Sequence, residues 1–365
     1  MTIKLKKFAF YLPQFHACDA NDEFWEPGFT DWVTTLNAKP LFNGHNQPVR
    51  PTLLGQYDLS NPEIIKKQAN LAKKYCIDGF AIYHYWFDKG ERALDEPIEI
   101  IRKNRDIDIS YFISWVNCNW TKSWIGDNNT IIREQKYNDD FYDELIKDSI
   151  LHFEEKRYYK IEGSPVFYIH SPNRFNVKYF IERFTDKAKE HGFKKIIWIA
   201  PEIHVNEDQF SLFDYLLSYP PGDYNKHRKS IKTKLWQWIC NLPFELYKNK
   251  FFFKKLRVFD YSTYVTRYID YIEKNIKLNS KYIATAMHSW DNSPRYKYKS
   301  FIYKNASPQE NYRLYNVLFS LSKENNRPFV LIKSWNEWAE GNVLEPDDIY
   351  QLERLKALKQ ASLDS

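Results

Sequence analysis

Glycine is scarce in this chain, at 10 of 365 residues. No strand-like run is followed by a glycine-rich loop, so the backbone cradles that hold nucleotide phosphates are poorly provided for. Cysteine is scarce too. Cys18, Cys76, Cys118 and Cys240 are scattered, with no CxxC and no other metal-ligand spacing, a pattern that fits reduced thiols in a cytoplasmic protein. The nine histidines include no helical His-x3-His pair, and neither a metal nor a cofactor is expected. Long apolar runs are missing as well. The opening run, Phe8-Ala-Phe-Tyr-Leu12, is too short for a signal peptide or a spanning helix, and no later stretch is longer. These absences leave a soluble protein, or one that touches the inner face of the cytoplasmic membrane only peripherally.

Aromatic residues are abundant instead: 27 Tyr, 26 Phe and 12 Trp, or 18% of the chain. A biased composition would explain many of them; stacking on sugar rings is the sharper explanation, and the placement of Trp decides between the two. The net charge of +6 is basic without being extreme. A chain of this length suits one large α/β barrel or two ordinary domains. Eight short apolar runs read as strands: Lys7–Leu12, Gly79–Tyr85, Ser110–Trp115, Pro165–His170, Lys195–Ala200, Tyr215–Tyr219, Tyr282–Met287 and Pro328–Lys333. Helical patterns alternate with several of them, at Asn61–Cys76, Asp140–Phe153, Val177–His191 and Pro308–Ser322. In the first of these, Pro62 opens the helix, Glu63 favours its positive end, and Ile64, Leu71, Ala72 and Tyr75 share a face. Eight strands alternating with helices predict a single-domain (β/α)8 barrel over 1–365. A doubly wound sheet is the alternative, and it lacks its phosphate loop.

Polar and aromatic residues follow these strands repeatedly. Tyr11, Pro13, Gln14 and His16 come at or after the first, His84, Tyr85 and Trp86 at the second, and Trp115, Asn117, Asn119 and Trp120 after the third. Glu202 and His204 follow the fifth, and Trp290, Asn292 and Arg295 the seventh. After the eighth comes Trp335-Asn-Glu-Trp-Ala-Glu-Gly341. In a barrel all these positions converge on the C-terminal mouth. Glu337 and Glu340, flanked by indoles, suit chemistry on a sugar: one acid protonates a leaving oxygen while the other serves as base or nucleophile. An ordinary solvated turn is the plain alternative for the pair. Asp106-Ile-Asp108 matches a short metal motif of nucleotide-sugar transferases, but it precedes a strand and so falls at the opposite rim.

One connection has its own character. Residues 220–281 read as an insertion, and within it the 224–259 stretch is rich in Lys and Arg, with Trp236, Trp238, Phe244, Tyr247 and Phe251-Phe-Phe253 interleaved. Basic and bulky aromatic side chains together suit contact with an anionic membrane surface; an insertion packed on the barrel with its lysines in water is the alternative. No nucleic-acid-binding module accompanies the charge, so no nucleic-acid partner is expected.

Several ordered motifs carry a family resemblance: Phe10-Tyr-Leu-Pro-Gln-Phe-His16, Gly28-Phe-Thr-Asp-Trp32, Pro40–Pro48, Leu54–Leu59, Ile77–Phe87, Trp115–Thr121, Ser289–Arg295 and Trp335–Gly341. On these the chain resembles the WbsX-like proteins of bacterial surface-polysaccharide gene clusters, which have a domain similar to glycoside hydrolase family 99. The resemblance implies a (β/α)8 barrel and an oligosaccharide or lipid-linked glycan substrate, in O-antigen or capsule assembly. It implies that Glu337 helps the sugar 2-hydroxyl attack its own anomeric carbon, and that Glu340 is general acid and then base. The residues themselves equally permit Glu337 as a direct nucleophile. The expected sugar contacts are Tyr11, His16, His84, Tyr85, Trp115, Asn117, Asn119, Trp120, Trp290, Asn292, Arg295, Trp335, Asn336 and Trp338. Relatives tend to have Glu where this chain has Cys118. Hydrolysis, glycosyl transfer and a non-catalytic carbohydrate-binding or assembly role all remain open at this point.

Overall fold

The computed structural model describes residues 4–122, 129–222 and 257–365. Eight parallel strands form its centre: β1 (Lys6–Tyr11), β2 (Gly79–Trp86), β3 (Ser110–Trp115), β4 (Ser164–Ile169), β5 (Ile197–Pro201), β6 (Tyr215–Leu217), β7 and β8 (Phe329–Lys333). β7 is interrupted at Ala284. Its first part, Tyr282–Ile283, pairs with β6, and its second part, Thr285–Met287, pairs with β8. β8 pairs in turn with β1, in the register Lys6↔Phe329 to Ala9↔Ile332, and the ring closes as a barrel. Each of the eight expected strands is present, within a few residues of its expected ends.

Aromatic rings fill the barrel. Phe8 meets Tyr159 at 4.5 Å and Phe112 at 5.1 Å between ring centroids, making one layer. Above it Phe10 stacks on Tyr83 at 5.4 Å and meets Tyr168 edge-on at 5.7 Å. These rings leave no room for a side chain at Gly79, where a Cβ would lie 2.4 Å from both Phe8 Cε1 and the Ser110 carbonyl. Much of the aromatic abundance therefore serves the core. A floor of rings this dense directs any ligand to the mouth.

Among the described residues, the α-helices of eight or more residues are α1 (Pro62–Lys74), α2 (Glu96–Lys103), α3 (Asp139–Phe153), α4 (Val177–Glu190), α5 (Tyr261–Leu278), α6 (Pro308–Glu324) and α7 (Glu353–Asp364). Asn61, Asn138, Asn176, Asp260 and Ser307 each accept a hydrogen bond from a first-turn backbone N–H, answering a donor that the helix itself leaves unmet. Between β5 and β6 there are only 3-10 turns, Glu202–His204 and Glu207–Leu212. Of the expected 220–281 insertion, residues 220–222 and 257–281 are described. Arg257–Asp260 pairs with Phe301–Lys304 in a small side sheet, and α5 buries Tyr261, Tyr264, Val265, Tyr268, Ile272 and Ile276. Most of the basic, aromatic 224–259 stretch lies outside the described residues. Among the described residues no helix is long and apolar enough to cross a membrane. Asp106 and Asp108 stand exposed just ahead of β3, each in an ion pair, with Lys66 and Lys73 respectively.

Candidate active site

The glutamate pair is held by a single short loop at the end of β8. Asn336–Glu337 pairs antiparallel with Asn342–Val343, and the 3-10 turn Trp338–Glu340 closes the hairpin. Gly341 completes it at φ +57°, packed so closely that a Cβ would sit 2.8 Å from Asp291 Cβ; glycine meets both demands. Asn336 ties the loop to β1: its Oδ1 accepts from Leu12 N at 2.7 Å and its Nδ2 donates to Leu12 O at 2.9 Å. Behind the loop, Trp338 packs on Trp32 and donates from Nε1 to Glu345 Oε2 at 2.9 Å. Glu345 is buried and also accepts from Tyr57 Oη and Gln68 Nε2, both at 2.7 Å.

In front of the loop lies a cavity of about 280 Å³. Its walls are Leu12, Tyr83, Tyr85, Val116, Cys118, Asn119, Trp120, Thr121, His170, Tyr219, Arg295, Lys333, Glu337 and Glu340. The two carboxylates meet different surroundings there. Glu337 accepts from Tyr83 Oη at 2.8 Å through Oε1, and from Asn342 Nδ2 at 3.4 Å through Oε2. Glu340 accepts from Arg295 Nη1 at 2.8 Å. Burial and the neighbouring Glu337 push the Glu340 carboxyl up to about 7, while Arg295 and Lys333 offset part of that rise. Burial opposes the charge of Arg295, but Asp31 and Glu340 outweigh it and hold the guanidinium above its ordinary range. Asp31, fully buried, lies 3.4 Å from Arg295 Nη2. An acid that titrates near neutrality beside a carboxylate fixed by two donors is the pairing that acid/base chemistry needs.

Six of the expected residues line this cavity: Tyr85, Asn119, Trp120, Arg295, Glu337 and Glu340. Trp120 stacks on Tyr85 at 5.7 Å, extending a flat apolar wall. Trp290 touches the site indirectly, its ring 4.8 Å from Lys333 Nζ. The other expected contacts are turned elsewhere. Tyr11 donates to Gln68 on α1, and Trp115 is buried against Phe141 and Phe180 under the helices. His84 faces Asp148 on α3 at 3.3 Å. Asn117 bridges to Ser171, accepting from its N–H and donating to its carbonyl, and Asn292 accepts from Phe301 N. His16 is buried away from the cavity, and Trp335, Asn336 and Trp338 support the loop from behind. Tyr83, Cys118, His170, Tyr219 and Lys333 were not among the expected contacts, yet they line the cavity.

The group best arranged to hold a metal, among the described residues, is Glu99, Asp148 and His152, on the far side of β2. Its carboxylates already have cationic partners. Arg92 Nη1 lies 3.2 Å from Asp148 Oδ1, and Arg102 Nη2 lies 2.7 Å from Glu99 Oε2. A buried ion network accounts for these residues.

Residues 7–358 match the family model described as "Glycosyltransferase WbsX". Uncharacterized protein WxcX of Xanthomonas campestris pv. campestris, from strains B100 and ATCC 33913, is 28% identical over 366 aligned positions. That alignment takes in 99% of this chain and 50% of WxcX, so the chain spans about half the length of the curated relatives it matches. Among solved structures, a glycoside hydrolase-like protein superposes with a TM-score of 0.58 at 15% identity, over 99% of this chain and 95% of the other. The GH99 endo-alpha-mannosidase of Bacteroides thetaiotaomicron superposes at 0.53 with 13% identity, over 99% and 97%. At such identities the likeness is one of fold, and the shared fold is the barrel. With the family pattern running nearly from end to end, the chain belongs to the glycosyltransferase WbsX family.

Proposed function

We propose that this chain is a glycan-active enzyme that cleaves or transfers a glycosyl unit, with Glu340 as general acid and Glu337 as its basic or nucleophilic partner. The observation that carries the reading is the contrast between the two carboxyls on one turn. Glu340 is pushed up to about 7, whereas Glu337 is presented to the cavity by donated hydrogen bonds. Protonated Glu340 gives its proton to the departing glycosidic oxygen as the bond to the anomeric carbon breaks. Glu337 either takes the proton of the sugar 2-hydroxyl as that oxygen attacks the anomeric carbon, or attacks directly. Ionised Glu340 then takes a proton from the acceptor, water in hydrolysis or a sugar hydroxyl in transfer. The acceptor oxygen bonds to the anomeric carbon and displaces either the 2-oxygen, which recovers its proton from Glu337, or Glu337 itself. The Tyr85–Trp120 wall offers an apolar face for a sugar ring.

The family resemblance supports a biological setting in O-antigen or capsule assembly, with a free or lipid-linked repeat unit as substrate. The basic, aromatic 224–259 stretch supports contact with anionic lipid; absence of lipid-dependent pelleting at low salt would sink that part of the reading. The enzymatic part is tested by mass spectrometry of the host's repeat-unit glycan, incubated with wild type or Glu340→Gln, with and without a sugar donor. Shorter glycan made by wild type alone assigns hydrolysis, and a donor-dependent mass gain assigns transfer. An unchanged glycan with wild type would move the reading to a carbohydrate-binding protein.

A further inference from the structure

Lys333 ends β8 and is only 3% exposed, yet it lines the cavity. Its Nζ sits 4.1 Å from the centroid of the Tyr219 ring and 4.8 Å from that of Trp290, and it is hydrogen-bonded to Tyr219. Among the described residues no carboxylate lies within ion-pair distance of it. Glu340 is engaged by Arg295 and Glu337 by Tyr83 and Asn342, while Arg295 also serves Asp31. The cavity residues Val116, Cys118, Asn119, Trp120 and Thr121 carry no charge. His170 supplies none either, since burial and the neighbouring His204 drive its pKa down to about 3.

A buried ammonium loses its hydration, and aromatic faces restore only part of what is lost. Relief by losing the proton is not available. Burial favours it, but Tyr219, Glu337 and Glu340 together hold the lysine above its ordinary value. The two glutamates act on it from beyond ion-pair distance, and among the described residues no anion is in direct contact with the ammonium.

We propose that the cavity takes a glycan unit bearing an anionic substituent, a carboxylate or a phosphate, and that Lys333 receives it between Tyr219 and Trp290. This rests on the glycan-active reading and narrows its substrate class. Lys333 is then a specificity residue, set beside the glutamate pair without replacing either member of it.

The test is a set of matched ligands, methyl glucoside, methyl glucuronide and methyl glucoside 6-phosphate, titrated against the full chain by NMR. Wild type should bind at least one anionic member about tenfold more tightly than the neutral sugar. The member preferred tells carboxylate from phosphate. In Lys333→Met the preference should vanish, and in Lys333→Arg it should persist. Should the Met variant fail to fold, Lys333→Gln, which keeps a donor toward Tyr219, replaces it. Equal binding of all three ligands by wild type, or a preference that survives removal of the charge, overturns the proposal. Loss of the preference alone leaves the enzymatic reading intact. An unchanged authentic glycan would sink the enzymatic reading without touching the binding result.

Discussion

A carboxyl that titrates near neutrality can give its proton and take it back within one turnover, which a carboxyl at its ordinary value does poorly. Glu340 is placed there by burial and by Glu337, with Arg295 pulling the other way. Its acid form is lost as pH rises through about 7, so kcat/KM should fall on the alkaline side. Glu340→Gln should lower the rate by about 10²–10⁴-fold and abolish that descending limb in a pH–rate profile. Removing the opposing cation should move the limb in a known direction. Arg295→Met raises the Glu340 pKa further, and the fall in rate should begin at higher pH. The same change strands buried Asp31 without its cation and should cost about 3–5 kcal/mol, measurable by urea denaturation. An unmoved limb would mean that Glu340 is not the group being read.

The strands were the most legible elements, because a strand buried on both faces reads as a short, nearly continuous apolar run. What such a run conceals is which of its residues face inward. Side chains alternate along a strand, so Tyr85 facing the cavity requires Tyr83 to do the same and turns His84 outward; Tyr83 could have been found by that rule. The same alternation sends Tyr11 and Trp115 to the helix layer while Leu12 and Val116 reach the cavity. Lys333 was hidden differently, as the final residue of a strand whose preceding residues are all apolar. Helix α5 was obscured by its composition, since a Tyr-rich face beside a basic stretch reads as part of an insertion. Where helices were recognised, the structure places Asx and Ser caps at their starts. Asn138→Ala should accordingly destabilise the protein by about 1 kcal/mol, seen as a lower urea midpoint with an unchanged slope. A destabilisation well below that would mean that the cap is dispensable.

For the molecule as a whole, the buried Glu345 ties together Tyr57, α1 and the loop that holds Glu337 and Glu340. Burial outweighs its hydrogen bonds and pushes its pKa from the ordinary 4.5 up to about 7. Between those values the folded chain keeps a proton that the unfolded chain has released, so stability should fall as pH rises through that window and then level off. Glu345 should account for on the order of 3 kcal/mol of this fall, with Glu340 adding its own share. Glu345→Gln should therefore shrink the fall by about that amount when unfolding is compared at about pH 5 and about pH 8. A wild type and variant with parallel pH dependence would show that Glu345 is not the source. The closure of the ring also has a consequence in time. Leu12 meets Asn336 across 324 residues of chain, and β1 has no second neighbour until β8 has been made. A ribosome emits the first wall of the cavity long before it emits either glutamate. In the proposed reading the barrel is therefore chemically silent until its last strand is made, and the strand that seals the ring also brings in the carboxyl pair.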